Sequence, residues 1–275
     1  MGNGILCFAN NNGEIDYCKQ AYSLALRIRK YLDLPTSVVT STPNELEKYS
    51  DAFDKIITVN DVANNVKRYS DGQTLHQNLF FKNNGRSNSY NLTPYDKTIV
   101  LDTDVIICNS SLLNAFNSSF NFQIYKDCED LTVWRNHKEF SYINDKGIPF
   151  YWATCFYFKK DKEVEAFFTI LNHVVNNWDH YQYVYDLGAR NFRNDHAFSI
   201  AIHIMNGFTD NEWAKPLPGR LYYCLDKDIL HKLENEKLTF LLQKENVHGE
   251  YTVASTTDMN VHVMNKYSLE RILNV

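Results

Sequence analysis

Asp102 and Asp104, separated by Thr103, stand inside the run TIVLDTDVIIC, from Thr98 to Cys108. Carboxylates moved from water into apolar surroundings are costly unless a cation or hydrogen-bond donors compensate them, so this pair implies a positive partner. If the strand continues through the pair, residues i and i+2 share one side and both carboxylates converge on one divalent ion. An all-oxygen pair suits Mg²⁺ or Mn²⁺. The competing reading ends the strand before Asp102 and leaves both aspartates as solvated turn residues. A second carboxylate, Asp195 in Asn194-Asp195-His196, opens a helical pattern, where it serves either chemistry or as a cap or first-turn charge favoured by the helix dipole. The six cysteines (Cys7, Cys18, Cys108, Cys128, Cys155, Cys224) have no CxxC or other metal spacing. Several lie in apolar runs such as ILCF and VIICN, where a reduced thiol packs as a small hydrophobe, and no disulfide is expected.

Strands and helices must alternate to hold such a pair. Gly4 to Asn10 is an apolar run closed by Asn-Asn-Asn-Gly, and Ile15, Cys18, Tyr22, Ala25, Ile28 and Leu32 recur at helical spacing. Pro35 ends that helix. Thr36 to Thr40 and Lys55 to Val59 are short β-branched strands, and Thr98 to Cys108 reads as one long strand, so a mostly parallel sheet is predicted. Lys67 to Leu92 is polar and Asn-rich and reads as a long loop of the kind kept for ligands. Further on, Tyr151 to Phe158 reads as a strand, and Val164, Phe167, Phe168, Leu171, Val174, Val175 and Trp178 mark an amphipathic helix. Another helix has Asn194 and Asp195 as candidate caps, Phe198, Ala201, Ile202 and Met205 on its buried face, and Asn206-Gly207 as its end.

The chain has 275 residues, 44% hydrophobic and 22% charged, with only 10 Gly and 6 Pro, which excludes collagen, low-complexity and mostly disordered classes. A formal charge of -5 argues against a wholly basic nucleic-acid binder. Without an internal repeat or a Pro/Gly/Ser linker, residues 1–275 are expected to form one domain. The opening MGNGILCFANNNGE lacks the features of a signal peptide, and no stretch reaches the ~18 apolar residues of a membrane span, so a cytoplasmic protein is expected. An aromatic fraction of 14% together with abundant Asn matches A+T-rich codons, a style that would suit a viral or bacterial enzyme acting in a host or bacterial cytoplasm.

Leu92-Thr93-Pro94-Tyr95-Asp96-Lys97, then TIVL, then Asp102-Thr103-Asp104 resembles the DxD-bearing segment of glycogenin-like (family 8-like) glycosyltransferases of the GT-A fold. Arg86, Tyr90, Leu92, Thr93, Tyr95 and Lys97 fall in one register with that pattern. The resemblance implies an α/β, Rossmann-like, mostly parallel sheet flanked by helices, with residues 1–110 binding the nucleotide sugar and a more irregular acceptor half over 111–275. It places Phe8, Ala9, Asn10 and Tyr17 around the base and ribose, and gives Arg86 and Thr103 to the donor site. Asp195, opening its helix as the family's Asp-Gln pair does, would contact the transferred sugar. Val261-His262-Val263-Met264-Asn265-Lys266 is similar to the family's HFxGxxKPW segment, which makes His262 a third metal ligand and Lys266 a diphosphate contact. An Asp, Asp, His set favours Mn²⁺ over Mg²⁺, because nitrogen is the softer donor. The chain departs from the family at three places. Trp152-Ala153-Thr154 stands where the family has Asn-Ser-Gly, Asn265 replaces a Gly, and the Pro-Trp after the His is absent.

The activity so implied is metal-dependent transfer of a sugar from a nucleoside diphosphate sugar, UDP-sugar in most of the family, with retention of anomeric configuration. The acceptor is open among a glycan, a small molecule and a modified DNA base, and the sequence fixes no oligomeric state. Two alternatives remain at this level: a sugar nucleotidyltransferase, which would carry a Gly-rich basic loop after the first strand, and a non-catalytic carbohydrate- or nucleic-acid-binding module. Trp152 reads as a stacking platform or as core, and Trp134, Arg135, His137, Arg190 and Arg193 are further candidate contacts or solvated loop residues.

Overall fold

The structure is a computed structural model that describes residues 2–60, 64–71, 75–82, 84–132, 140–145, 147–188, 192–243 and 249–273. Strand β1 (Asn3–Phe8) is buried from Gly4 to Cys7 and feeds helix α1 (Tyr17–Tyr31), whose start is capped by Asp16 accepting the Lys19 N–H at 2.9 Å. Of the predicted stripe, Ile15, Cys18, Ala25, Ile28 and Leu32 are buried and Tyr22 is half-buried, while Ala21 and Leu24 join the buried face. Strand β2 (Thr36–Thr40) is buried throughout; a one-turn helix α2 (Pro43–Leu46) and strand β3 (Lys55–Thr58) follow.

The segment from Lys67 to Leu92 departs from its predicted loop. Strands β4 (Asn64–Asp71) and β5 (Leu75–Lys82) pair antiparallel with Val66 opposite Phe80, and the short helix α3 (Ser89–Leu92) follows a tight turn over Asn84–Asn88. A ribbon is specified by its cross-strand pairs, so its sequence need not alternate against a core.

The predicted long strand also divides. Strand β6 (Lys97–Leu101) ends at Leu101, residues 102–104 turn, and β7 (Val105–Ile106) belongs to another sheet. Strands β8 (Phe122–Tyr125) and β9 (Cys128–Asp130) precede β10 (Trp152–Lys159), which is buried from Trp152 to Phe158. Helix α4 (Lys162–Asn176) is capped by Asp161 and buries Val164, Phe167, Phe168, Leu171 and Val174. It stops short of Trp178 because the Asn177 amide donates to the His173 carbonyl at 2.8 Å and leaves helical geometry, so α5 (Trp178–Val184) starts anew. Helix α6 (Asn194–Met205) packs between α4 and β10 and ends as predicted. Gly207, at φ 70, lets its own N–H reach Ile204 and the Phe208 N–H reach His203, which satisfies the last carbonyls. Strands β11 (Leu221–Cys224), β12 (Leu230–Glu234), β13 (Lys237–Gln243), β14 (Tyr251–Thr257) and β15 (Val261–Val263) and helix α7 (Lys266–Ile272) complete the chain.

The central sheet has the order β3-β2-β1-β6-β10-β8, with the first four strands parallel and β10 antiparallel to both neighbours. The architecture is therefore mixed α/β with a parallel-rich sheet flanked by helices, and strands on both sides of residue 110 contribute to it. A second sheet, β7-β15-β11-β9, adjoins it, and β12-β13-β14 forms a third. All six cysteines are buried and free. Among the described residues, no helix is long and apolar enough to cross a membrane.

Close packing at Gly4 tests this frame. A Cβ there would sit 2.5 Å from the Tyr95 ring carbon Cδ2, and that ring is tethered by its hydroxyl to Ser37 at 2.7 Å and Asp54 at 3.3 Å. Gly4→Ala is expected to destabilise the protein by ~1–3 kcal/mol, read as a lower urea midpoint with an unchanged slope.

Candidate active site

The order β3-β2-β1-β6 runs away from β1 in both directions, so the crevice between the carboxyl ends of β1 and β6 is a topological switch point. Cys7 pairs with Leu101, which brings Phe8 and Asp102 to that crevice side by side. The pair of aspartates lies in a turn rather than on an extended strand. The Val105 N–H donates to the Asp102 carbonyl at 3.2 Å and closes it. Neither sequence reading was complete, because the strand ends before Asp102 and yet Asp104 is buried. Two hydrogen bonds hang the turn between the sheets: Asp102 N–H to the Thr154 carbonyl of β10, and Val263 N–H of β15 to the Asp104 carbonyl, each at 2.9 Å. Together with this second bond, the pairing of His262 with Val105 sets the imidazole beside Asp104.

The charges balance locally. Arg86 forms an ion pair with Asp102, and Lys266, the first residue of α7, forms one with Asp104; the imidazole Nε2 of His262 lies 3.3 Å from Asp104 Oδ2. Side-chain exposure is 6% for Asp104 and 7% for Lys266, against 13% for Asp102 and 15% for Arg86, so the lysine pair is the more deeply desolvated. Burial pushes the Asp104 carboxyl upward, but Lys266 and His262 outweigh it and hold it below the usual carboxylate range. At Asp102 burial prevails over Arg86, and the neighbouring Asp104 charge adds to the rise, so this carboxyl is held above that range.

One ligand atom from each of Asp102, Asp104 and His262 can be chosen so that all lie within 4.8 Å of one another. Among the described residues, Asp104 Oδ1 and His262 Nδ1 are buried and find no hydrogen-bond partner. Two carboxylates and one imidazole, with a buried acceptor oxygen unsatisfied, fit a divalent cation of the Mn²⁺ or Mg²⁺ class.

Asp195 is not a cap. Arg193 occupies the N-cap position without a side-chain cap bond, and Asn194 and Asp195 are the first helical residues. The Asp195 carboxylate faces β10, where Oδ1 accepts the Ala153 N–H at 3.0 Å and Oδ2 the Arg193 guanidinium at 2.9 Å. Four residues on, Ser199 Oγ accepts the Tyr151 N–H at 2.9 Å and donates to the Asp195 carbonyl at 2.7 Å. Side chains of α6 thus serve the start of β10, where its pairing with β8 shifts register between Trp152 and Phe156. Asp102 and Asp195 hang on adjacent residues, Thr154 and Ala153. Burial would raise the Asp195 carboxyl, but Arg193, His196, Arg86 and the Ala153 N–H together hold it below the usual range.

In the crevice, Ala9 is fully buried and Asn10 Oδ1 accepts the Ser41 N–H at 2.7 Å. Phe8 abuts Gly85, where a Cβ would lie 2.9 Å from its ring. Tyr17 is buried at the start of α1, and Thr103 lies buried 3.5 Å from the Gln20 amide oxygen. Trp152 is core, stacked on Tyr223 with centroids 5.1 Å apart. Trp134, Arg135, His137 and Arg190 lie outside the described residues. Sequence reasoning missed Ser199 and Gln20. Ser199 had a signal, a hydroxyl four residues after Asp195 and next to the apolar stripe of α6, whereas Gln20 had none.

No protein-family profile matches the chain, and no curated protein matches its sequence. Solved structures similar to it include the galactosyltransferase LgtC in complex with donor and acceptor sugar analogs, at 13% identity and a TM-score of 0.40 over 72% of this chain and 69% of that one. The glycosyltransferase GlyE of Streptococcus pneumoniae TIGR4 is similar at 11% identity and a TM-score of 0.43 over 82% of this chain and 46% of that one. Mouse xyloside xylosyltransferase 1 is similar at 11% identity and a TM-score of 0.42 over 85% and 88% of the respective chains. At these values the similarity concerns the course of the chain and assigns no residue.

The charge balance makes two predictions. Asp104→Asn takes from the buried Lys266 ammonium this anion, a loss of ~3–5 kcal/mol, while Asp102→Asn removes a charge that burial already disfavours from a more exposed pair and should cost less. Thermal denaturation in chelator should separate the two, and equal losses would contradict the assignment. At Asp195 the folded value lies below the unfolded one, so its contribution is complete above the unfolded value near ~4 and is lost as pH falls through the folded value. The difference in melting temperature between wild type and Asp195→Asn should therefore shrink below about pH 4, as scanning calorimetry across pH would record.

Proposed function

We propose that the chain is a metal-dependent glycosyltransferase that moves a sugar from a nucleoside diphosphate sugar, UDP-sugar foremost, to an acceptor hydroxyl. The convergence of Asp102, Asp104 and His262 at the switch-point crevice carries this reading. Residues 1–110 would supply the donor crevice, with Phe8, Ala9, Asn10 and Tyr17 along the base and ribose, while 111–275 would supply the acceptor side together with His262 and Lys266. A divalent ion held by Asp102, Asp104 and His262 supplies Lewis-acid stabilisation of the charge that collects on a departing diphosphate.

The chain's own residues do the rest. Arg86 reaches the crevice from the turn before α3 and adds fixed positive charge beside Asp102, at low cost in reorganisation because the pair already exists. Lys266, paired with Asp104, would give its ammonium to a phosphate oxygen once a diphosphate draws it away. Asp195, fixed by Ala153 and Arg193, still has lone pairs on both oxygens with which it would accept sugar hydroxyls, and its charge would stabilise a glycosyl carbon that becomes positive. Buried Thr103 spaces the two aspartates. Retention of configuration is the stereochemical course we assign, with a glycan, a small molecule or a modified DNA base as the acceptor and the cytoplasm as the place of action.

Incubation of the purified protein with Mn²⁺ and a panel of nucleotide sugars should release nucleoside diphosphate from at least one donor, and both chelator and Asp102→Asn should abolish the release. Full turnover in chelator would overturn the metal assignment. Asp195→Asn keeps an oxygen for the Ala153 N–H but loses the charge, so kcat should fall by ~10² or more with nucleotide binding preserved. A stable variant with near-normal turnover would remove Asp195 from the chemistry.

A further inference from the structure

Lys266 does not wait beside the carboxylates for an anionic ligand; it is bound to one of them. Its ammonium pairs with Asp104 Oδ2, the oxygen that His262 Nε2 also faces at 3.3 Å, and lies 3.4 Å from the Val263 carbonyl. The backbone beneath it is locked. Asn265, buried, accepts the Ser268 N–H at 2.8 Å and caps α7, and the Val263 N–H binds the Asp104 carbonyl at 2.9 Å, so the start of α7 and the turn are one assembly. A cation on either oxygen of Asp104 would meet this ammonium across a single carboxylate. Like charges that close and that shielded from water repel strongly.

We propose that Lys266 and the divalent cation compete for Asp104: the ammonium is the resident counter-ion while the metal is absent, and it must give way for the metal to bind at full strength. The inference rests on the metal-binding reading above and goes beyond it, because a lysine serving a phosphate alone would leave metal affinity untouched. Asp102 differs in that its partner Arg86 is the more exposed of the two cations, at 15% against 7% for Lys266. The metal site is therefore self-neutralised in its empty state, and an anion that draws the ammonium away frees a ligand oxygen for the ion. Metal and a diphosphate group would then each strengthen the binding of the other through this one side chain.

The test is a titration of Mn²⁺ alone, without nucleotide, followed by the paramagnetic resonance signal of free Mn²⁺, on wild type and on Lys266→Met, Lys266→Gln and Lys266→Arg. The two neutral variants should bind Mn²⁺ about tenfold or more tightly than wild type, and the arginine variant should stay close to wild type. In chelator, Lys266→Met should melt below wild type, because Asp104 then lacks its counter-ion, and Mn²⁺ should raise its melting temperature by more than it raises that of wild type. A methionine variant recovered folded only with Mn²⁺ present supports the proposal equally. If wild type binds Mn²⁺ and the neutral variants bind it no more tightly, the competition is refuted while the metal reading stands. If no form of the protein binds Mn²⁺, both fall.

Discussion

The molecule is organised around a buried charge balance at the point where the chain leaves one sheet for another. β6 delivers Asp102 to the edge of the central sheet, and the next residues must turn out of it while keeping Asp104 away from water. Such a turn is stable only if its backbone groups and both carboxylates find partners. β10 supplies a carbonyl, β15 an N–H, and Arg86 and Lys266 supply the charges. The two cations come from opposite ends of the sequence, the turn before α3 and the start of α7. The distant segments are thus drawn to the crevice by one electrostatic requirement, and the second sheet exists in part to bring His262 and Lys266 there.

β10 is the common rail of the site. Its first residues lie where regular pairing with β8 slips, so their N–H groups need partners from elsewhere. α6 provides them through Asp195 and Ser199, one helical turn apart on the same face. Asp195 is therefore held in place by a structural duty at Ala153, near enough to Arg86 for that cation to favour its charged form. Since Thr154 also binds Asp102, a small shift of this strand would move both carboxylates together. Trp152 sits in the core stacked on Tyr223, which anchors the rail from behind and accounts for a large aromatic residue at this position.

Much of the fold was legible because burial imprints periodicity. The strands at β1, β2, β3 and β10 and the helices α1, α4 and α6 follow from apolar spacing, and the end of α6 from Asn206-Gly207. Three features left no such trace. The β4–β5 ribbon pairs with itself, so its polar residues mimic a loop. The break in TIVLDTDVIIC is invisible because both of its halves are apolar; the run changes sheets rather than leaving the core. At the start of α6 the sequence leaves Asp195 open between cap, first-turn charge and chemistry; it stands in the first turn but does not cap, because β10 offers its side chain the Ala153 N–H. Of the candidate site, Asp102 and Asp104 stood out by themselves as charges in an apolar run. His262 and Lys266 were reached only through the family-like pattern, because the pairing of β15 with β7 is a long-range contact that no local spacing encodes.

The sequence alone presents Asp102 and Asp104 as two like charges whose mutual repulsion must be relieved by something bound. The structure changes the sign of that argument at one of them. With Lys266 and His262 around it, Asp104 is stabilised as an anion, while Asp102, with burial outweighing Arg86, is the carboxylate that gains most from a further cation. On the proposed reading, an ion entering the crevice would be drawn chiefly by Asp102 and opposed chiefly by Lys266. Its binding would then be an exchange of partners within a preformed cluster, whose turn, β15 and start of α7 are tied by the Val263–Asp104 backbone hydrogen bond and the Asn265 cap. A site whose charges are already paired within the protein would discriminate among ligands by how well they supply an anion to the displaced ammonium.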